Sequence, residues 1–124
     1  MKQINIEPTK YSPKVHLNPE GEMFIQGRSI LEDPFPFYNP IMNWIANCTA
    51  KKFMVEVRLE YINTSNSKLI LNILKSVKEK YLMNDISIKW FYEVDDEDML
   101  DLGQDYEALL KVPFDFFEYS DDES

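Results

Sequence analysis

A strand pattern, a polar turn and a helix pattern follow one another within residues 53–82, and this stretch constrains the fold more than any other. In the run FMVEVRLEYI, residues 53–62, one face is apolar and the other is charged, which is the period-two pattern of a strand. The apolar face comprises Val55, Val57, Leu59 and Tyr61. The charged face comprises Glu56, Arg58 and Glu60.

The helix pattern begins at Lys68, after the five polar residues 63–67. Apolar side chains then recur at the spacing of one helical face, at Ile70, Ile73, Leu74, Val77 and Tyr81. A further strand pattern at residues 86–92 completes a segment of about 30 residues, the size of a β-α-β unit. A right-handed crossover makes its two strands parallel and packs the helix on their sheet. The polar turn then lies at the carboxyl end of a strand and the amino end of a helix.

The other patterns predict a single domain of mixed architecture. Strand patterns cover residues 2–6, 14–17, 22–28 and 114–119. One further helix is predicted to start at Asp33-Pro34, and Pro40 is expected to kink this helix or to make it restart. Another helix is predicted over about residues 97–110, with Leu109 facing inward. We therefore expect an α/β (α+β) domain over residues 1–119, with a mixed β-sheet and about three helices mainly on one face. Residues 120–124 are predicted to be an acidic, disordered tail.

Charge and residue usage restrict the function. Twenty-two acidic residues against thirteen Lys and Arg give a formal net charge of −9, so we expect no binding to nucleic acid or to anionic membranes. The chain has no signal-peptide core and no apolar run long enough to span a membrane, which predicts a cytoplasmic protein. Three scattered glycines exclude nucleotide-binding loops, and the single His16 and single Cys48 exclude a zinc cluster. We expect no cofactor and no enzymatic activity, although the sequence does not exclude a paired-carboxylate hydrolase.

Two segments are candidates for function. The acidic run EVDDEDMLD, residues 93–101, offers Asp95, Asp96 and Asp98 as ligands of a divalent cation. It lacks the calcium-loop pattern, and we favour an acid-rich first turn of a helix, which the helix dipole stabilises.

The other segment is the polar turn, where Asn63, Thr64 or Ser65 would cap the following helix. A plain capping loop is one interpretation. The other is a phosphorylation site, because a helix amino end stabilises a phosphate through free amides and the dipole.

The sequence resembles the SiaC family of bacterial regulatory phosphoproteins. The resemblance covers nearly the whole chain, and the segments LEYINTSNSKLILNIL, IKWFYEVDDEDML and VPFDFFEY carry it. It implies a STAS-like fold, similar to that of anti-sigma-factor antagonists. It also implies phosphorylation of Thr64 by a dedicated protein kinase and its removal by a PP2C-like phosphatase. The unphosphorylated form is then expected to bind and activate a diguanylate cyclase, and so to control c-di-GMP signalling and biofilm formation.

Our leading hypothesis is a non-enzymatic phosphorylation switch with Thr64 as the acceptor and no metal. The residues expected to face the kinase and the partner are Asn63, Ser65, Asn66, Ser67 and Lys68. Alternatives are a STAS-like module in an anti-sigma-factor type cascade, an interaction module without phosphorylation, and a metal-dependent enzyme. The sequence leaves open whether Ser65 can replace Thr64 as the acceptor, which protein is regulated, and the oligomeric state.

Overall fold

Within residues 1–120, which are the residues that our computed structural model describes, six strands form one sheet. The strands are β1 (Ile4–Ile6), β2 (Lys14–Asn18), β3 (Glu22–Ser29), β4 (Phe53–Ile62), β5 (Ile86–Glu93) and β6 (Phe114–Tyr119). The helices are α1 (Phe35–Asn47), α2 (Thr64–Lys80) and α3 (Glu97–Leu110), and a short 3₁₀ turn covers Met83–Asp85. The predicted mixed α/β architecture and the order of its elements are confirmed.

The order of the strands in the sheet is their order in the chain. β1, β2 and β3 pair antiparallel, whereas β3, β4, β5 and β6 pair parallel. One helix connects each parallel pair, and right-handed crossovers that all advance in the same direction place their helices on the same face of the sheet. The amino ends of the helices consequently lie at the edge where the parallel strands end.

Burial along the central strand β4 distinguishes the two faces of the sheet. Phe53, Val55 and Val57 are at most 1% exposed, as expected for the face under the helices. Glu56 and Arg58, on the opposite face, are half-buried. Tyr61, which the sequence pattern places on the apolar face, is 53% exposed at the end of β4.

The helices confirm most of the predicted apolar stripes. α2 buries Ile70, Ile73, Leu74 and Val77 as expected. α1 is continuous through Pro40 instead of restarting there, and its first residue follows Pro34, which offers no side-chain cap. Leu109 is 65% exposed, so its predicted inward position is wrong.

Helix α2 starts four residues earlier than predicted. Its first residue is Thr64 and its N-cap is Asn63, whose side chain accepts a hydrogen bond from the backbone N–H of Asn66. The polar residues after Asn63, which were expected to form a turn before Lys68, are therefore the first turn of the helix.

A contact between Trp90 of β5 and Gly103 of α3 sets the position of α3 on the sheet. A Cβ atom added at Gly103 would lie 2.6 Å from the Trp90 indole, so only glycine permits this approach. The Trp90 Nε1 atom donates to the carbonyl oxygen of Met99 at 2.9 Å, in the first turn of α3. The amino end of α3 is thereby held beside the carboxyl ends of the parallel strands.

No helix within residues 1–120 is long and apolar enough to cross a membrane. Of the predicted acidic tail, Ser120 is described and follows β6 directly, whereas residues 121–124 lie outside the described residues.

Candidate functional site

The carboxyl end of β4 and the amino ends of α2 and α3 border a groove of about 370 Å³, which we call the Thr64 groove. Its lining residues are Glu60, Tyr61, Ile62, Asn63, Thr64, Ser67, Asp96, Asp98, Met99 and Leu102. The groove therefore combines an apolar part with several carboxylates and three hydroxyl-bearing side chains.

Thr64 is the first residue of α2, and its side chain is exposed. Among residues 1–120 there is no hydrogen-bond partner for its hydroxyl oxygen. This hydroxyl group is thus accessible to a second molecule, at the end of a helix whose dipole favours negative charge.

The neighbouring hydroxyl groups differ from Thr64 in their partners. Ser65 is exposed, but it does not line the groove, and its Oγ donates to Asn63 Oδ1 at 3.3 Å. Ser67 lines the groove, and its Oγ donates to the carbonyl oxygen of Thr64 at 2.8 Å. Of the three hydroxyl groups in this turn, only that of Thr64 both lines the groove and is free of a hydrogen bond within the described part of the chain.

Asn66 was expected to face a kinase or a partner, but it does not lie on the surface. It is 0% exposed, and its side chain makes hydrogen bonds to Ser29, Leu31 and Asn63. The expectation fails because Asn66 lies one helical turn before Ile70, on the buried stripe of α2. That spacing was the sequence signal for burial, and the polar character of the neighbouring residues obscured it.

Two buried tyrosine hydroxyls extend the contacts around this first turn. Tyr38 of α1 is hydrogen-bonded to Ser29 Oγ at 2.5 Å, and burial raises the pKa of Tyr38 to about 12. Tyr106 of α3 donates to the carbonyl oxygen of Ser67, and burial is the main cause of its raised pKa. Both phenols are therefore held in the neutral form, in which they can donate these hydrogen bonds.

The acidic residues on the other side of the groove belong to the start of α3. Asp96 is the N-cap and accepts from the backbone N–H of Met99 at 3.0 Å, and Glu97 and Asp98 lie in the first turn. The predicted acid-rich first turn is confirmed. Within residues 1–120, no group of three His, Cys, Asp or Glu side chains is arranged to hold a metal ion.

Lys68 is exposed and lies on α2 four residues after Thr64, which puts the two side chains on the same side of the helix. It does not line the groove. It is the nearest lysine or arginine after Thr64 in the sequence.

A family model and a curated protein sequence match nearly the whole chain. The family model described as SiaC family regulatory phosphoprotein matches residues 6–119. An uncharacterized protein of Pseudomonas aeruginosa (strain UCBPP-PA14) is 24% identical over 119 residues, which cover 92% of this chain and 94% of that protein.

Solved structures show the same fold. SiaC of Pseudomonas aeruginosa matches with a TM-score of 0.85 at 21% identity, over 96% of this chain and 100% of that chain. The crystal structure of the diguanylate cyclase SiaD in complex with its activator SiaC, from the same organism, matches with a TM-score of 0.84 at 21% identity. That match covers 94% of this chain and 99% of the other.

The raised pKa of Tyr38 predicts a loss of stability at alkaline pH. Its pKa rises from the ordinary value of 10.0 to about 12 in the folded protein, so its contribution is fully present below pH 10 and is lost as the pH rises towards 12. Between pH 8 and pH 11, we expect wild type to lose about 1 kcal/mol more unfolding free energy than the Tyr38→Phe variant. Urea unfolding at the two pH values measures this difference, and equal losses would contradict the assignment.

Proposed function

Since the chain belongs to the SiaC family of regulatory phosphoproteins, we propose that it is a non-enzymatic switch whose state is set by phosphorylation of Thr64. A protein kinase adds the phosphate and a PP2C-like phosphatase removes it. The unphosphorylated form binds and activates a diguanylate cyclase, and the chain thereby regulates c-di-GMP synthesis and biofilm formation. The observation that carries this proposal is the exposed Thr64 hydroxyl group at the amino end of α2, on the border of the Thr64 groove.

The position of Thr64 suits a phosphate. Phosphorylation adds nearly two negative charges, and at a helix amino end the dipole and the backbone N–H groups stabilise negative charge by about 0.3–2 kcal/mol. The ammonium group of Lys68, one turn further along the same side of α2, adds attraction. The α2 helix is therefore expected to keep its structure when Thr64 is phosphorylated.

The carboxylates at the start of α3 disfavour a phosphate on Thr64, in contrast to the helix dipole and Lys68. Asp96 and Asp98 line the same groove as Thr64, so a phosphate on Thr64 would share the groove with their carboxylates. The modification would raise the negative charge of a surface that is already acidic, in a chain of formal charge −9. Phosphorylation of Thr64 would thus reduce the free volume of the groove and make it more negative for a partner that packs into it.

The rim of the groove also offers apolar contact area. Tyr61 is 53% exposed, and the Arg28 guanidinium carbon lies 5.9 Å from the centroid of its ring. Tyrosine and arginine are enriched among residues that dominate binding energy at protein interfaces. Tyr61 and Thr64 line the same groove, so a partner that fills the groove covers both, and covering a phosphate on Thr64 requires its desolvation. A cost of about 3 kcal/mol corresponds to roughly a hundredfold loss of affinity.

A cyclase is the proposed partner because the structurally similar SiaC of Pseudomonas aeruginosa forms a complex with the diguanylate cyclase SiaD and is described as its activator. The match covers nearly all of both chains, so the strands and helices that border the groove have counterparts in the fold of that protein. For this chain, the same kind of partner is part of the proposal.

Phosphate mapping tests the acceptor. The kinase is purified from the cells that produce the chain, by following transfer of label from ATP to the purified protein. We expect one phosphate on Thr64 of wild type and of Ser65→Ala, and none on Thr64→Ala, because the Ser65 hydroxyl lies outside the groove and donates to Asn63. Peptide mass spectrometry locates the phosphate. Label on another residue, or undiminished label in Thr64→Ala, would remove Thr64 from its proposed role.

A double-mutant cycle tests the charges that face Thr64. Thr64→Glu adds a carboxylate to the groove, so Asp98→Asn should stabilise the Thr64→Glu variant more than wild type, by about 0.5 kcal/mol. Asp101→Asn is the matched control, since Asp101 is exposed on α3 but does not line the groove. Urea unfolding at low salt gives the coupling, which should shrink in about 1 M salt. Equal effects of Asp98→Asn in both backgrounds would show that the two positions do not interact.

A further inference from the structure

We propose that Asn66 is a positioning residue for phosphoryl transfer: through buried hydrogen bonds it holds the first turn of α2 in the conformation in which a kinase takes up the Thr64 hydroxyl group. This inference rests on the proposed function. Asn66 contacts neither the nucleotide nor the transferred phosphate, because it is 0% exposed on the opposite side of the turn from the groove. Its effect on Thr64 passes through the backbone.

Both polar atoms of the Asn66 side-chain amide make hydrogen bonds. Its Nδ2 atom donates to the carbonyl oxygen of Leu31 at 2.8 Å and to Asn63 Oδ1 at 2.6 Å. Its Oδ1 atom accepts from Leu31 N–H at 3.1 Å and from Ser29 Oγ at 2.7 Å. Because the backbone of Leu31 supplies both a donor and an acceptor, the orientation of the amide is fixed by its partners.

These bonds connect the helix start to the segment after β3. Asn63 Oδ1 accepts from both the backbone N–H and the Nδ2 atom of Asn66, so the residue that caps the helix is itself held by Asn66. The backbone N–H of Asn63 donates to the carbonyl oxygen of Ser29 at 3.3 Å. Thr64 follows Asn63 directly and precedes Asn66 by two residues, so its backbone lies between two anchored positions.

The other side of the turn is held by α3. Tyr106 donates to the carbonyl oxygen of Ser67, and Ser67 Oγ donates to the carbonyl oxygen of Thr64. The first turn of α2 is thus bonded on one side to the segment after β3 and on the other to α3. The Thr64 side chain is exposed in this turn, and its hydroxyl oxygen has no hydrogen-bond partner within residues 1–120.

A simple helix cap would not require this arrangement. Asn63 already supplies the capping acceptor, and an apolar residue at position 66 would continue the stripe formed by Ile70 and Ile73. A buried amide is costly unless every polar atom is bonded, and such networks are associated with a single defined conformation. The need for one defined conformation at Thr64 gives a reason for this residue at this place.

In the transfer step, the Thr64 hydroxyl oxygen attacks the γ-phosphorus of a nucleoside triphosphate bound to the kinase. The new O–P bond forms as the bond from the γ-phosphorus to the β,γ-bridging oxygen breaks. The nucleoside diphosphate leaves with the electron pair, and the hydroxyl proton passes to a base on the kinase or to water. The rate depends on alignment of the attacking oxygen, and a fixed backbone lowers the entropy cost of that alignment.

Kinetics with the purified kinase and Mg-ATP test the inference. We expect Asn66→Ala to lower kcat/KM for phosphorylation about tenfold or more, mainly through kcat, because the buried Asn66 side chain is not part of the surface that the kinase contacts. Ser29→Ala, which removes one hydrogen bond to Asn66, is the milder variant and should lower kcat/KM severalfold. Val77→Ala is the matched control: Val77 is 0% exposed in the same helix, far along the chain from Thr64, and its truncation lowers stability without touching the network.

Amide hydrogen exchange gives a second readout that a general loss of stability does not reproduce. Exchange of the backbone amides at positions 66 and 67, which donate to Asn63, should accelerate in Asn66→Ala and Ser29→Ala more than in a Val77→Ala protein of equal global stability. Suppose that the kinase phosphorylates wild type at Thr64, but that kcat/KM is the same for Ser29→Ala, Asn66→Ala and Val77→Ala. The positioning role is then wrong and the proposed function stands. If wild type receives no phosphate at Thr64, the proposed function itself fails.

Discussion

The hydrogen bonds of the buried Asn66 side chain fix where helix α2 begins, and the geometry of the site depends on that point. Asn66 connects the N-cap Asn63 to Leu31 and to Ser29 at the end of β3. The parallel crossover brings the helix start to the edge of the sheet, but it does not set the conformation of individual residues there. The amide network does so, and it leaves the Thr64 hydroxyl group exposed on the border of the groove.

The second determinant of the site is the position of α3. The approach of Trp90 to Gly103 and the hydrogen bond from Trp90 to Met99 hold the amino end of α3 opposite that of α2. The groove between them therefore has two helix amino ends, which favour negative charge, and the carboxylates of Asp96 and Asp98, which oppose it. Under the proposed function, this balance would let a phosphate on Thr64 change the charge of the groove while helix α2 keeps its structure.

Much of the fold was predictable because periodicity reports burial directly. The bounds of β4 and the buried stripe of α2 follow from alternation and helical spacing. The start of α2 and the burial of Asn66 were missed because a run of polar residues resembles a loop, and the burial of Asn66 depends on Leu31 and Ser29, far away in the chain. The groove was unpredictable for the same reason, since it requires α3 to lie beside α2. Tyr61 and Leu109 show that one residue of a regular pattern can point outward at the end of an element.

The central claim is that a phosphate on Thr64 decides whether the chain binds its partner. Calorimetric titration of the diguanylate cyclase from the same cells measures this directly, with the chain prepared in its unphosphorylated and Thr64-phosphorylated forms. The account predicts that the phosphorylated form binds roughly a hundredfold more weakly, which corresponds to about 3 kcal/mol. Equal dissociation constants for the two forms would contradict it.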